Sequence, residues 1–241
     1  MSGHSKWATT KRKKASIDAK RGQIFTKLAK VITIAARDGG GDASANPSLR
    51  MAIDNARSSS MPKENIERAI QKGVGGGVGA NIESITYEAY GPGGIALLIE
   101  CLTDNKNRAL SEVKMIINKH GGNFASAGSV SYLFQKKGEI IIELSKQRKS
   151  VEEIEEVIIN SSADDYEIEE DAAIVYTNMH DLHQVKTKLE EAGIAIESAE
   201  LTNIASTNID VSEDKKEKVE ILLEALDDLE DVNKVYTNAN F

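Results

Sequence analysis

Apolar residues recur at helical spacing in the first third of the chain. Ile24, Leu28, Val31 and Ala35, with Phe25 and Ile32 beside them, predict a helix that the glycines at 39–41 stop. Asn46 before Pro47 reads as an N-cap and a first helical residue, and Leu49, Ala52, Ile53 and Ala56 then supply one inward face. Pro62 starts a third helix with Ile66, Ala69 and Ile70 inward, Glu64 and Glu67 near the positive end of its dipole and Lys72 near the negative end. Each helix is too short to be stable alone, so the three are expected to share faces in a small bundle. The run GVGGGVG at 73–79 has little side chain to pack and high backbone entropy, and reads as a linker. It lacks the Lys and Ser or Thr that close a phosphate-binding loop, and no strand precedes it as a dinucleotide loop would require.

Beyond the glycines the pattern changes to mixed α and β. Residues 85–90 and 95–102 are strand-like, separated by the turn GPGG, in which Pro92 sets one dihedral and the glycines tolerate positive ones. Asp104 is placed to cap a helix whose inner face carries Leu110, Val113 and Ile117, Gly121 and Gly122 end that helix, and 129–134 reads as another strand. A strand at 140–144, a helix at 151–159, strands at 166–169 and 173–176, a helix through Leu182, Val185 and Leu189, and a strand near 194–197 follow. That is the ferredoxin-like order βαββαβ. A strand near 204–209, a helix carrying Val219, Leu222, Leu226 and Leu229, and a strand at 232–236 close the chain. The expected fold class is therefore α+β: an N-terminal three-helix domain followed by two ferredoxin-like α+β domains, one inserted in the other. The expected limits are 1–78 for the helical domain, 79–135 with 200–241 for a discontinuous α+β domain, and 136–199 for the insertion.

Composition supports folded domains, with 40% hydrophobic residues in 241. A single cysteine, Cys101, excludes an intramolecular disulfide and an all-cysteine metal site. The opening MSGHSKWATTKRKK has positive charge without the apolar core and cleavage pattern of a secretory signal, and no stretch approaches the roughly 20 apolar residues that span a bilayer. A cytoplasmic protein without membrane contact is the expectation.

Charge changes the picture most. The formal net charge of -8 argues against a protein that coats nucleic acid, but residues 1–72 hold 15 basic and 6 acidic side chains, a net of +9, and residues 73–241 carry -17. The densest basic run is KRKK at 11–14, preceded by Lys6 and Trp7 and continued by Lys20, Arg21, Lys27 and Lys30. Lysines and arginines at this density neutralise phosphates and release counterions, which positions nucleic acid without reading its bases. A solvated, solubilising face is the plain alternative, and Trp7 either stacks on a base or ribose or packs the arm against the bundle. Arg50, Arg57, Lys63, Arg68 and Lys72 extend the positive surface or keep the bundle wet. The acidic runs at 152–156, 164–171 and 227–231 read as solvated faces that repel a nucleic-acid backbone. The basic module is then expected to dock while the acidic domains orient it or recruit another protein.

Reactive groups are sparse. His180 and His183 share a helix start without a third metal ligand, Cys101 sits in the apolar run IALLIECL as a core residue, and His120 before two glycines reads as helix termination. No catalytic, cofactor or metal site is expected.

The segments GHSKWATTKRKKASIDAKRGQIFTKLAKVI at 3–32, NPSLRMAIDNARSSSMPKENIERAIQKG at 46–73, YEAYGPGGIALLIECLTDNKNRALSEVKMIINKHGGN at 87–123 and GSVSYLF at 128–134 carry a wider resemblance. The chain resembles the YebC/PmpR family of bacterial regulatory proteins, related to mitochondrial translational activators of cytochrome oxidase. The resemblance implies a cytoplasmic three-domain protein without enzyme activity that acts as a DNA-binding transcriptional regulator, some members being tied instead to translation through the ribosome. The family's basic opening maps onto Lys6, Lys11, Arg12, Lys13, Lys14, Lys20, Arg21 and Lys27 as the nucleic-acid-binding residues. KRKK stands where a Lys, His, Arg, Lys arrangement is usual, and Gln23 replaces a common Lys, so phosphate attraction survives while contacts through that His or that charge do not. The expected partner is promoter duplex DNA. The alternatives are a ribosome-associated translation factor contacting ribosomal RNA and an adaptor whose acidic domains take a protein partner. A monomer is expected.

Overall fold

The computed structural model describes residues 17–75 and 81–241, with side chains from Arg21 onward. Three helices come first, α1 Ile17–Gly39, α2 Pro47–Ser58 and α3 Lys63–Val74. Asn46 makes the first corner: its side-chain oxygen accepts from Leu49 N–H at 3.1 Å, capping α2, while its amide donates to the carbonyls of Ala35 and Gly40 at 2.8 Å each. Leu49, Ala52, Ile53, Ala56, Ile66 and Ala69 are buried with Ile32, Ala36 and Met61 in one cluster, the shared face that the spacing predicts. α1 divides its apolar stripe. Ile32 and Ala36 enter the bundle core, whereas Ile24 remains 37% exposed and Leu28 and Val31 border a groove facing the rest of the molecule.

Gly73 is not linker. It is buried in the last turn of α3, where a Cβ would stand 2.4 Å from the Thr33 carbonyl oxygen and 2.8 Å from Ala36 Cβ. Its missing side chain lets α3 approach α1 closely, and Thr33 Oγ1 donates to the Ala69 carbonyl at the same crossing. The remaining glycines of the run, from 76, lie outside the described residues.

The chain then forms β1 Glu83–Tyr90, β2 Ala96–Thr103, α4 Lys106–Lys119 and β3 Asn123–Ala125. After a 3-10 turn at Ser131–Leu133 come β4 Phe134–Glu143, α5 Val151–Asn160, β5 Asp165–Ile168, β6 Ala172–Asn178, α6 Leu182–Glu191 and β7 Ser198–Ala205. The last elements are β8 Ile209–Asp210, α7 Glu213–Asp227, β9 Val232–Thr237 and β10 Ala239–Asn240. Two four-stranded antiparallel sheets result, ordered β3-β1-β2-β9 and β5-β6-β4-β7, with β8 and β10 pairing in parallel as a small third. Each large sheet packs two helices over a core of its own, α4 and α7 on the first and α5 and α6 on the second. The architecture is α+β and ferredoxin-like behind a helical region, as the alternation of periods implies.

Three local expectations are corrected. Residues 129–133 are a bend and a 3-10 segment, with only Phe134 in a strand, because Glu88 reaches across from β1 and its carboxylate accepts from the N–H groups of Gly128, Val130 and Ser131 at 2.7, 2.6 and 3.0 Å. Val130 and Phe134 still point inward, against Ala96, Leu98 and Tyr236. The strand expected at 194–197 is a loop; the pairing strand is β7, in register with β4 from Phe134↔Ala205 to Ile141↔Ser198. The cap of α4 is Asn105, whose side chain accepts from Arg108 N–H, while Asp104 pairs with Arg108 one turn on. Among the described residues, no helix is long and apolar enough to cross a membrane.

Candidate nucleic-acid interface

α1 carries the described part of the basic run and lies against the first large sheet. Of the expected phosphate contacts, Lys6, Lys11, Arg12, Lys13 and Lys14 lie outside the described residues, as does Trp7, and Lys20 sits in the first turn of α1 with its side chain outside them. Arg21 is exposed near the start of the helix. Lys27 turns toward the first-sheet unit, with its side chain 16% exposed.

Lys27 and Lys30 are one turn apart, so both ammonium groups face the same neighbour. That neighbour is the C-terminal end of α7 and the acidic loop after it. Lys27 Nζ donates to the carbonyl of Asp227, the last residue of α7, at 2.6 Å and lies 3.5 Å from its carboxylate. Lys30 Nζ donates to the Glu230 carbonyl and to Asp231 Oδ1, both at 3.0 Å. Arg108, in the first turn of α4, reaches the other carboxylate oxygen of Asp231 through Nε at 3.0 Å and Nη2 at 2.8 Å.

Asp231 is only 2% exposed, so the acidic run at 227–231 is solvated at Asp228 and Glu230 but not, as expected, throughout. Burial pushes the Asp231 carboxyl up, but hydrogen bonds from Lys30 and Arg108 and the Lys30 charge outweigh burial and hold it below its ordinary value. The same surroundings act on Cys101, where burial first and the Asp231 charge second push the thiol up to about 12. It is an inert core side chain of β2, fully buried, as its sequence context suggests.

The bundle is tied to the rest of the molecule mainly through polar groups. Arg37 donates to the Ile82 carbonyl at 2.6 Å. Asn55 of α2 donates to the carbonyl and accepts from the N–H of Ala199, covering the free edge of β7, and Lys186 of α6 bonds Asp54 at 2.8 Å. A cleft of about 730 Å³ opens beside Asp231 with Lys30, Arg68, Lys72 and Arg108 on its walls and Asp104 and Glu112 among them. On the other flank of α1 a groove of about 750 Å³ is lined by Ile24, Leu28, Val31, Met51, Leu102 and Leu201.

Other basic residues of the bundle have local duties. Arg50 donates to the carbonyls of Ala43 and Ser44, bracing the corner before α2, and Lys63 pairs with Glu67 along α3. His180 and His183 are exposed at the start of α6, and His120 is the C-cap of α4. Among the described residues, no group of three or more His, Cys, Asp and Glu side chains is placed to hold a metal ion.

Sequence reasoning missed Asp231 and Arg108. The only local signal for the contact is the three-residue spacing of Lys27 and Lys30, and it does not say what they face.

The fold and this contact define a class: a small helical unit with a basic helix, docked on two acidic α+β units. The model of the TACO1/YebC protein N-terminal domain matches residues 5–76, and that of the TACO1/YebC second and third domain matches residues 82–239. The chain belongs to the TACO1/YebC family. A protein of Desulfosudis oleivorans named a probable transcriptional regulatory protein is 50% identical over 240 residues, covering 100% of this chain and 97% of its own. One of the same description from Desulforamulus reducens is 46% identical, covering 99% and 98%. The crystal structure of a conserved hypothetical protein from Aquifex aeolicus superposes with a TM-score of 0.89 at 42% identity, covering 94% of this chain and 93% of that one.

Proposed function

We propose that the chain is a transcriptional regulatory protein that binds promoter duplex DNA through phosphate contacts of its N-terminal region, acting in the cytoplasm as a monomer. The observation that carries this reading is the division of charge: +9 over residues 1–72 against -17 over the rest. The names given to its relatives point the same way. Lys6, Lys11, Arg12, Lys13, Lys14, Lys20, Arg21 and Lys27 are the proposed contacts, within a helical domain taken as 1–78. The acidic units, the discontinuous one on the first sheet and the inserted one built from β4 to β7, keep the backbone away from their own surfaces and so restrict how a duplex lies. They also offer a face to a protein partner.

The test is fluorescence anisotropy with a promoter duplex and an unrelated duplex of equal length, across a salt series. Changing Lys11, Arg12, Lys13 and Lys14 together to alanine should weaken binding and lower the slope of log K against log salt by roughly 3 to 4, about 0.9 for each phosphate that is no longer neutralised. Equal affinity for both duplexes would remove the promoter from the proposal. Cosedimentation with ribosomes that resists salt, abolished in the same variant while duplex binding is absent, would replace DNA with ribosomal RNA.

A further inference from the structure

The contact that seats the bundle uses a lysine also proposed to hold phosphate. Lys27 and Lys30 each meet one main-chain carbonyl and one carboxylate, at Asp227 and at Glu230 with Asp231. The last carbonyls of a helix lack intrahelical partners and carry the negative end of its dipole, so the end of α7 combines partial and full negative charge. To an ammonium group, that set of oxygens is chemically close to a phosphate diester. We propose that the C-terminal end of α7 and the acidic loop after it form an internal phosphate mimic, so that binding of a polyanion along α1 and docking of the bundle on the first sheet compete for Lys27 and Lys30. The proposal rests on the reading of Lys27 as a phosphate contact and supplies a regulation of it.

Two features make the docking reversible. The bundle core and the core of the first sheet share no residue, and among the described residues Met51 is the one bundle side chain that packs into the core under the second sheet. Contacts dominated by charge lose strength with salt and yield to a competing polyanion, whereas a continuous apolar core would not. Arg108 completes the device, because it keeps Asp231 paired after Lys30 leaves and no bare carboxylate is left buried. Linkage then requires that whatever loosens the docking raises polyanion affinity, and that bound polyanion loosens the docking by the same factor.

Carbodiimide coupling on the intact protein reads the contact directly. The reagent joins an amine to a touching carboxylate, and Lys27 with Asp227 is the pair nearer solvent. Its coupled yield, measured by mass spectrometry, should fall several-fold as duplex or heparin is titrated, with the midpoint of binding. Lys137 with Asp164, a pair inside the second-sheet unit, should keep its yield. A second measurement uses Asp231→Asn, which should bind duplex 3- to 10-fold more tightly at low salt and show a larger radius of gyration in solution scattering. Binding with an unchanged Lys27 to Asp227 yield, or a variant that binds no more tightly than wild type, overturns the competition and leaves nucleic-acid binding standing. Failure to bind duplex, RNA or heparin overturns both.

Discussion

Glu88 and Asp231 are both buried carboxylates of the first-sheet unit, at 6% and 2% exposure, and they are satisfied in opposite ways. Glu88 accepts three backbone N–H groups from a turn of its own unit. Asp231 accepts from two cations, one of them brought by the helical bundle. In both, burial pushes the carboxyl up and its partners pull it below the ordinary value, so titration alone does not separate them. The partners do. Main-chain donors are fixed by the fold and indifferent to salt, whereas a lysine on another unit has an alternative anion available to it. The first carboxylate builds a turn and the second holds an interface that can be exchanged.

The comparison breaks most visibly at Glu88. Glu88→Ala strands three donors under Val130 and should cost about 3–5 kcal/mol, read as a lower urea midpoint that salt leaves unchanged. A smaller loss would mean that water replaces the carboxylate. Gly73→Ala probes packing inside the bundle, where no charge is involved. The Cβ would stand 2.4 Å from the Thr33 carbonyl oxygen, so about 2 kcal/mol should be lost in thermal unfolding, again independent of salt. Asp231→Asn should cost about 1–2 kcal/mol at low ionic strength, discounted because Arg108 is 46% exposed, and the loss should shrink in concentrated salt.

Acid should act on both carboxylates at once. Their folded values lie below the ordinary 4.5 of Glu88 and 3.8 of Asp231, so their stabilisation is complete above those values and disappears as pH falls through the folded ones. Wild-type stability should therefore decline below about pH 4.5, and Glu88→Gln should flatten that decline by up to about 1.4 kcal/mol per pH unit, measured by denaturant titration at stepped pH. An unchanged slope would locate the acid sensitivity elsewhere.

Most of the architecture was legible. The inward faces of α2 and α3 are those the spacing of Leu49, Ala52, Ile53, Ala56, Ile66 and Ala69 predicts, and βαββαβ is present as β4 to β7. The failures have specific causes. Val130 and Phe134 buried on either side of Tyr132, which is 72% exposed, mimic the alternation of a strand, although a distant carboxylate holds the segment as a turn. Gly73 sits in a run that looks like linker because composition does not register a neighbouring helix. The basic residues of α1 stand out by charge density, which is blind to an acceptor 200 positions away, the Asp227 carbonyl that Lys27 meets.

The sequence by itself determined what is periodic and local: where most helices and strands lie, which side chains of α2 and α3 enter the bundle core, and that positive charge gathers before residue 73 and negative charge after it, although Ile24 and Leu110, expected to face inward, are exposed. Hydrophobic burial is readable in this way because every element needs only one apolar face, whatever covers it. Only the tertiary structure decided which cations meet which anions, and that Lys27 ends on the terminus of α7 and Lys30 on the acidic loop after it. Electrostatic pairing depends on separation in space and on the exclusion of water, and neither is a property of position along the chain.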